Sequence, residues 1–274
     1  MSAIDQLFTR LRAKNQRALM PFLTAGDPDL PTTALLLREL VRRGAVMCEL
    51  GIPYSDPIAD GPVIQASYTR ALAKKIKLAD ILECVRSVAP ELGAPVVSMV
   101  SYAIVYRHGP REFVAAARAA GLAGAIIPDL PLEEGAALAA ICREADFSLI
   151  QLVTPTTPRD RAVRIAENSS GFLYYVSVTG ITGERRDLPP ELAENVGWLR
   201  QRTPLPICIG FGISTPEHVR LLAPVADGLI VGSALVRRIA DHSAKPGHPA
   251  TSTPALLADV GDYVATLLAA LNPP

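Results

Sequence analysis

Residues 206–235, PICIGFGISTPEHVRLLAPVADGLIVGSAL, hold two short apolar runs, 206–210 and 228–231, with a polar, helix-patterned stretch between them. Continuous apolar runs of this length read as strands covered on both faces, the pattern of a parallel sheet. The intervening Ser214-Thr215-Pro216-Glu217 is a helix start, with a capping hydroxyl ahead of a proline whose missing N–H costs nothing there. Strand, helix and strand in one direction make a right-handed crossover unit. Each strand runs into a glycine turn, Gly210-Phe211-Gly212 after the first and Gly232-Ser233-Ala234 after the second, the latter opening a further helical stretch.

The same unit recurs toward the N-terminus. Further apolar runs lie at residues 19–24, 46–51, 96–102, 125–128, 148–154 and 172–178, making eight with the two above. Helical periodicity occupies residues 32–43, 78–89, 111–120, 133–144, 160–167, 191–202, 216–222 and 255–271, with Gly44 and Gly121 just past two of them as left-handed caps. Eight repeats predict closure into a (β/α)8 barrel in place of an open doubly wound sheet. The 274 residues fit one such domain over 1–274, with an ordered core from about residue 5 to 272. The first stretch, MSAIDQLFTRLRAKNQ, reads as an extra amphipathic helix with no signal-type apolar core. Three stretches exceed a minimal connection: 52–78 after strand two, 179–190 after strand six, and 242–254, read as a surface linker before the last helix.

Composition excludes several functions. Lys plus Arg and Asp plus Glu both number 27, with no basic stripe, so nucleic acid is not an expected partner. No apolar run reads as a membrane span, and a cytoplasmic protein is expected. Cys48, Cys84, Cys142 and Cys208 lack metal or disulfide-framework spacing, and His108, His218, His242 and His248 read as surface residues, so no metal is expected. None of the five lysines falls in a strand, which argues against Schiff-base chemistry.

What remains is carboxylates and glycines. Glu49 sits inside the apolar run VMCELGIP, where burial of an unpaired charge is costly and raises its pKa, as a proton-transfer group requires. Asp60 lies with Asp56 in YSDPIADGP, the loop leaving that same strand, so two carboxylates with different surroundings can face one pocket. The glycine turns after strands seven and eight, with Gly180-Ile181-Thr182-Gly183 after strand six, offer backbone N–H groups to an anion such as phosphate.

The block ELGIPYSDPIADGPVIQ (49–65) resembles the signature of the tryptophan synthase alpha subunit family. PFLTAGDPD (21–29), PDLPLEE (128–134), VTGITG (178–183), GFGIS (210–214) and VGSAL (231–235) extend the likeness along essentially the whole chain. The resemblance implies a TIM barrel that cleaves indole-3-glycerol phosphate into indole and glyceraldehyde 3-phosphate. It implies Glu49 as general acid and base, and Asp60 as the carboxylate at the indole N–H. It further implies Phe22, Ile64, Tyr102, Ile127 and Phe211 as apolar walls, Tyr174 or Tyr175 as a lining tyrosine, and Thr182 as a closing residue of loop six. Gly183, Gly212, Gly232 and Ser233 are implied as phosphate contacts. Pro53 and Asp56 match positions facing a beta subunit in an alpha2-beta2 assembly, and pyridoxal phosphate belongs to that partner, with no cofactor expected in this chain. Two departures stand out: SYAIVYRHGP (101–110) lacks the Asn usual after its tyrosine, in a loop that faces the partner, and Cys48 replaces an aliphatic residue. A stand-alone lyase releasing free indole, and a non-catalytic barrel binding a phosphorylated metabolite, are the alternative readings.

Overall fold

The computed structural model describes residues 2–57, 60–176, 190–210, 212–243 and 251–273. Along them run α1 (Ala3–Ala13), β1 (Ala18–Thr24), α2 (Leu30–Arg42), β2 (Cys48–Gly51), α3 (Pro62–Leu72), α4 (Leu78–Leu92) and β3 (Val96–Met99). Next come α5 (Tyr102–His108), α6 (Pro110–Ala119), β4 (Leu122–Ile126), α7 (Leu132–Glu144), β5 (Ser148–Ile150), β6 (Leu152–Val153) and α8 (Arg159–Glu167). The chain continues through β7 (Leu173–Val176), α9 (Pro190–Arg200), β8 (Ile207–Gly210), α10 (Pro216–Leu222), β9 (Gly228–Val231), α11 (Ser233–Asp241) and α12 (Thr253–Leu271).

All strand pairs are parallel, in the order β5-β4-β3-β2-β1-β9-β8-β7-β6. The two ends of that order, β5 and β6, are halves of one run separated only by Gln151, so the sheet wraps into the expected (β/α)8 barrel. Gln151 stays within the wall: its carbonyl accepts from Tyr174 N at 3.1 Å and its side-chain amide donates to Asn168 O at 2.9 Å.

Side chains alternate across the wall with the strand period of two. Met47, Val97, Ile126, Ile150, Tyr174, Cys208 and Ile230 turn inward and share one cluster with Ile4, Leu7, Phe8 and Leu11 of α1. The outward set, including Leu19, Cys48, Leu50, Leu149, Leu173, Ile209 and Leu229, packs under the helices. The N-terminal helix therefore fills the lower end of the barrel, with Phe8 against Phe172 at 6.0 Å between ring centroids. Ser2 caps it through a reciprocal pair of bonds with Asp5.

Several expectations need adjustment. The third strand stops at Met99, and Tyr102 opens α5, because Asp129 accepts from Ser101 Oγ at 2.6 Å and from Tyr102 N at 2.7 Å and so caps a helix there. The long 52–78 connection contains α3, started by Pro62 at its first turn. The fourth strand begins earlier than expected, at Leu122. Helix α12 is long and apolar enough to span a membrane by length and composition, yet it covers the barrel. Its Asp259 pairs with Arg238 at 2.9 Å and with His242 at 3.1 Å, and its Asp262 with Arg43 at 2.5 Å. His242 is thus half-buried in an ion-pair position, not free on the surface; His248 lies outside the described residues.

Candidate active site

The upper end of the barrel opens into a cavity of about 800 Å³. Glu49 forms part of its floor. Strand parity puts Glu49 on the inward face with Met47, opposite Phe22 in the β1–β2 register. Glu49 is only 1% exposed, and among the described residues neither carboxylate oxygen has a hydrogen-bond partner. Loss of hydration, followed by the negative charge of Asp60, lifts its pKa to about 8. Near neutral pH Glu49 is therefore a carboxylic acid with a proton to give.

Asp60 reaches the same cavity from the loop below α3. Gln65 holds its backbone, donating to Asp60 O at 2.8 Å and Pro57 O at 3.2 Å. Helix α3 is tied to β1 by a buried Thr24–Ser67 hydroxyl pair at 2.6 Å and by Arg70 bound through two nitrogens to Asp27, at 2.9 and 2.6 Å. Burial raises Asp60 to about 6; a Tyr54 hydroxyl contact works against that rise and the Asp129 charge adds to it. Between about pH 6 and 8 the pair therefore holds one ionised carboxylate and one neutral acid.

The predicted residues divide by parity and position. Phe22, Ile64, Tyr174, Gly212, Gly232 and Ser233 line the cavity with the two carboxylates. Tyr174 is the inward tyrosine; its hydroxyl lies so close to Gly210 that a Cβ there would sit 2.3 Å away. Tyr175 faces the helix layer, as does Ile127, so neither is a wall of the site. Tyr102 stands outside the lining, with its hydroxyl 3.3 Å from Glu134. Thr182, Gly183 and Phe211 lie outside the described residues. Of the two positions expected to face a partner, Asp56 is exposed and accepts from Ser55 Oγ at 2.8 Å. Pro53 is buried and borders a separate cavity of about 460 Å³, because the loop folds back over α4 and α5.

Gly212 has φ +75°, a backbone that a side chain would strain, and sits beside Gly232 and Ser233 at the start of α11. Among the described residues no side chain caps that helix, and its first residues, Ser233 and Ala234, line the cavity. Sequence reading missed Arg237 and Arg238, which line this end one helical turn on from Ser233. Arg238 lies over the Tyr263 ring at 4.3 Å and is paired with Asp259, whereas Arg237 is exposed. Met99, Pro128, Leu152, Val176 and Ile230 complete a mostly apolar wall. Among the described residues no group of three or more His, Cys, Asp or Glu is placed to hold a metal ion.

The site thus couples a neutral acid, an ionised carboxylate, an apolar slot and a helix N-terminus without a side-chain cap. Residues 8–263 match the family profile described as tryptophan synthase alpha chain. The tryptophan synthase alpha chain of Rhodopirellula baltica is 60% identical over 244 residues, covering 88% of each chain. That of Synechocystis is 47% identical over 254 residues, 92% of this chain and 96% of the relative. The crystal structure of the alpha chain from Legionella pneumophila superposes with a TM-score of 0.87 at 34% identity, over 99% of this chain and 97% of that one. A ligand-free tryptophan synthase structure from M. tuberculosis gives 0.84 at 30% identity, over 98% and 100%. By sequence and by fold the chain belongs to the tryptophan synthase alpha chain family.

Proposed function

We propose that this chain is a cytoplasmic lyase that cleaves indole-3-glycerol phosphate to indole and glyceraldehyde 3-phosphate, as the alpha subunit of tryptophan synthase. The observation that carries the reading is the unpaired, buried Glu49 carboxyl set beside Asp60 in one cavity. The phosphate would sit on the N–H groups at the start of α11, with Gly212 and Ser233 beside it. The indole ring would lie in the apolar slot formed by Phe22, Ile64 and Tyr174.

The chemistry follows from the two protonation states. Neutral Glu49 donates its proton to ring carbon C3, and the ring nitrogen becomes positively charged. Asp60 accepts the N–H and stabilises that charge, which exists only along the reaction path. The Glu49 carboxylate so formed then removes the proton from the adjacent glycerol hydroxyl. The O–H electrons become the new C=O bond, the carbon–carbon bond breaks, and its electron pair returns to the ring to restore indole. Glu49 ends the cycle protonated. Pyridoxal phosphate would be held by the beta subunit, which consumes the indole.

Incubation with indole-3-glycerol phosphate should release indole and glyceraldehyde 3-phosphate in equal amounts, faster when a beta subunit is added. Turnover without any rise on that addition would favour a stand-alone lyase. The profile of kcat/KM should be a bell, rising as Asp60 ionises near pH 6 and falling as Glu49 loses its proton near pH 8. A plateau from about pH 5 to 9 would contradict these roles. Arg237→Ala should raise KM by about tenfold with little change in kcat, an effect that fades at high salt. An unchanged KM at low ionic strength would remove Arg237 from the anion site.

A further inference from the structure

Two tyrosines stand beside the carboxylates. Tyr54, in the loop after β2, points its hydroxyl at Asp60 Oδ2 from 3.5 Å, a long contact for an O–H donor. Tyr68, on α3, is 1% exposed and packs its ring against that of Tyr54, with centroids 5.6 Å apart and planes at 53°. Among the described residues its buried hydroxyl has no hydrogen-bond partner, a state that is costly unless something later claims it. The hydroxyl is aimed into the barrel mouth. A Cβ on Gly51, which shares the inward face of β2 with Glu49, would lie 2.9 Å from it. Around it lie Phe22, Ile64 and Val63, which also line the cavity.

Asp60 lacks the partner that normally keeps a half-buried carboxylate ionised. Among the described residues it makes no ion pair. The titratable groups acting on it or responding to it are Glu49 from β2, Asp129 from the loop after β4, Tyr174 from β7, and the two tyrosines. None of them is a cation. Of the charged groups near the Tyr68 hydroxyl, Asp60 acts on it most strongly, ahead of Glu49.

We propose that Tyr54 and Tyr68 are paired positioning residues for Asp60, donating both hydroxyls to its carboxylate when substrate fills the cavity and so holding it ionised toward the ring nitrogen. Tyr54 is already in place, and Tyr68 supplies the second donor across the remaining gap. The tilted contact between the rings couples the two tyrosines beside Asp60. The inference rests on the role given to Asp60 above.

The test uses the full chain carrying Tyr54→Phe, Tyr68→Phe or both, with the melting temperature of each measured alongside. Each single variant should lower kcat about tenfold, leave KM within about twofold, and move the acid limb of the kcat profile, which reports the substrate-filled state, up by about one pH unit. A merely structural role would lower Tm and leave that limb in place, which would overturn the proposal; so would unchanged kcat and pH profile in the double variant. A second readout is independent of turnover: carbon NMR of labelled aspartate, with an unreactive indole alkyl phosphate bound. Asp60 should titrate at higher pH in both single variants than in the unmodified chain, and identical titration in all three would overturn the proposal. If the unmodified chain releases no indole, the lyase reading has failed. Titration of Asp60 in the free protein then still decides whether Tyr54 holds it.

Discussion

Glu49→Gln is expected to cut kcat for indole release by at least about a hundredfold, the lower scale of a positioned acid and base. Gln keeps the size of the side chain and its place on the inward face of β2, but it can neither give nor take the proton. KM should change little, because the ring and phosphate contacts lie elsewhere in the cavity. Indole release at the unmodified rate would take Glu49 out of the mechanism. The same variant carries an independent check. The folded-state pKa of Glu49 is raised to about 8 from an ordinary 4.5, so the stability from holding its proton is complete below about 4.5 and is lost as pH rises through about 8. Glu49→Gln removes that loss. Its stability relative to the unmodified chain should therefore improve between about pH 5 and 8, on the order of 2–4 kcal/mol over the interval. Thermal or urea unfolding at the two ends reads this directly, and a pH-independent difference would show that Glu49 titrates normally.

Asp60→Asn is the second large effect, with a different signature. The positive charge on the ring nitrogen exists only beyond the ground state, so its loss of stabilisation should appear in kcat, by about a hundredfold or more, with KM within a few-fold. The pH profile should change on both sides. The acid limb assigned to Asp60 should vanish. The alkaline limb should move to lower pH, because the Asp60 charge is one of the two causes that hold Glu49 up. Loss of activity with both limbs unmoved would place Asp60 outside the proton chemistry. These two variants separate the carboxylates by role, which a simple loss of activity would not.

The barrel was legible because its strands are short continuous apolar runs, and Glu49 was legible because it interrupts one of them. Parity was the harder matter. Tyr174 and Tyr175 are adjacent and chemically identical, and only the phase of β7, set by its register with β8, shows which faces Gly210. The phase of β4, with Ile126 inward, likewise turns Ile127 toward the helices. Tyr102 misled because β-favouring residues continue past Met99, while the cap that ends the strand, Asp129, comes from a segment distant in sequence. Arg237 carries no signal of its own, since an arginine on a helix reads as solvated surface until the fold sets it beside a glycine turn. Tyr54 and Tyr68 gave none either, being aromatics in a loop and on a helix that the sequence leaves unplaced relative to the carboxylates.

Ile4, Leu7, Phe8 and Leu11 occupy the space beneath the inward residues of the strands. Among the described residues the barrel is consequently a vessel stoppered at one end, with its cavity at the other. Indole formed above Glu49 therefore leaves from the end of the barrel where the loops follow the strands, away from α1. A partner waiting for indole has one address at which to wait.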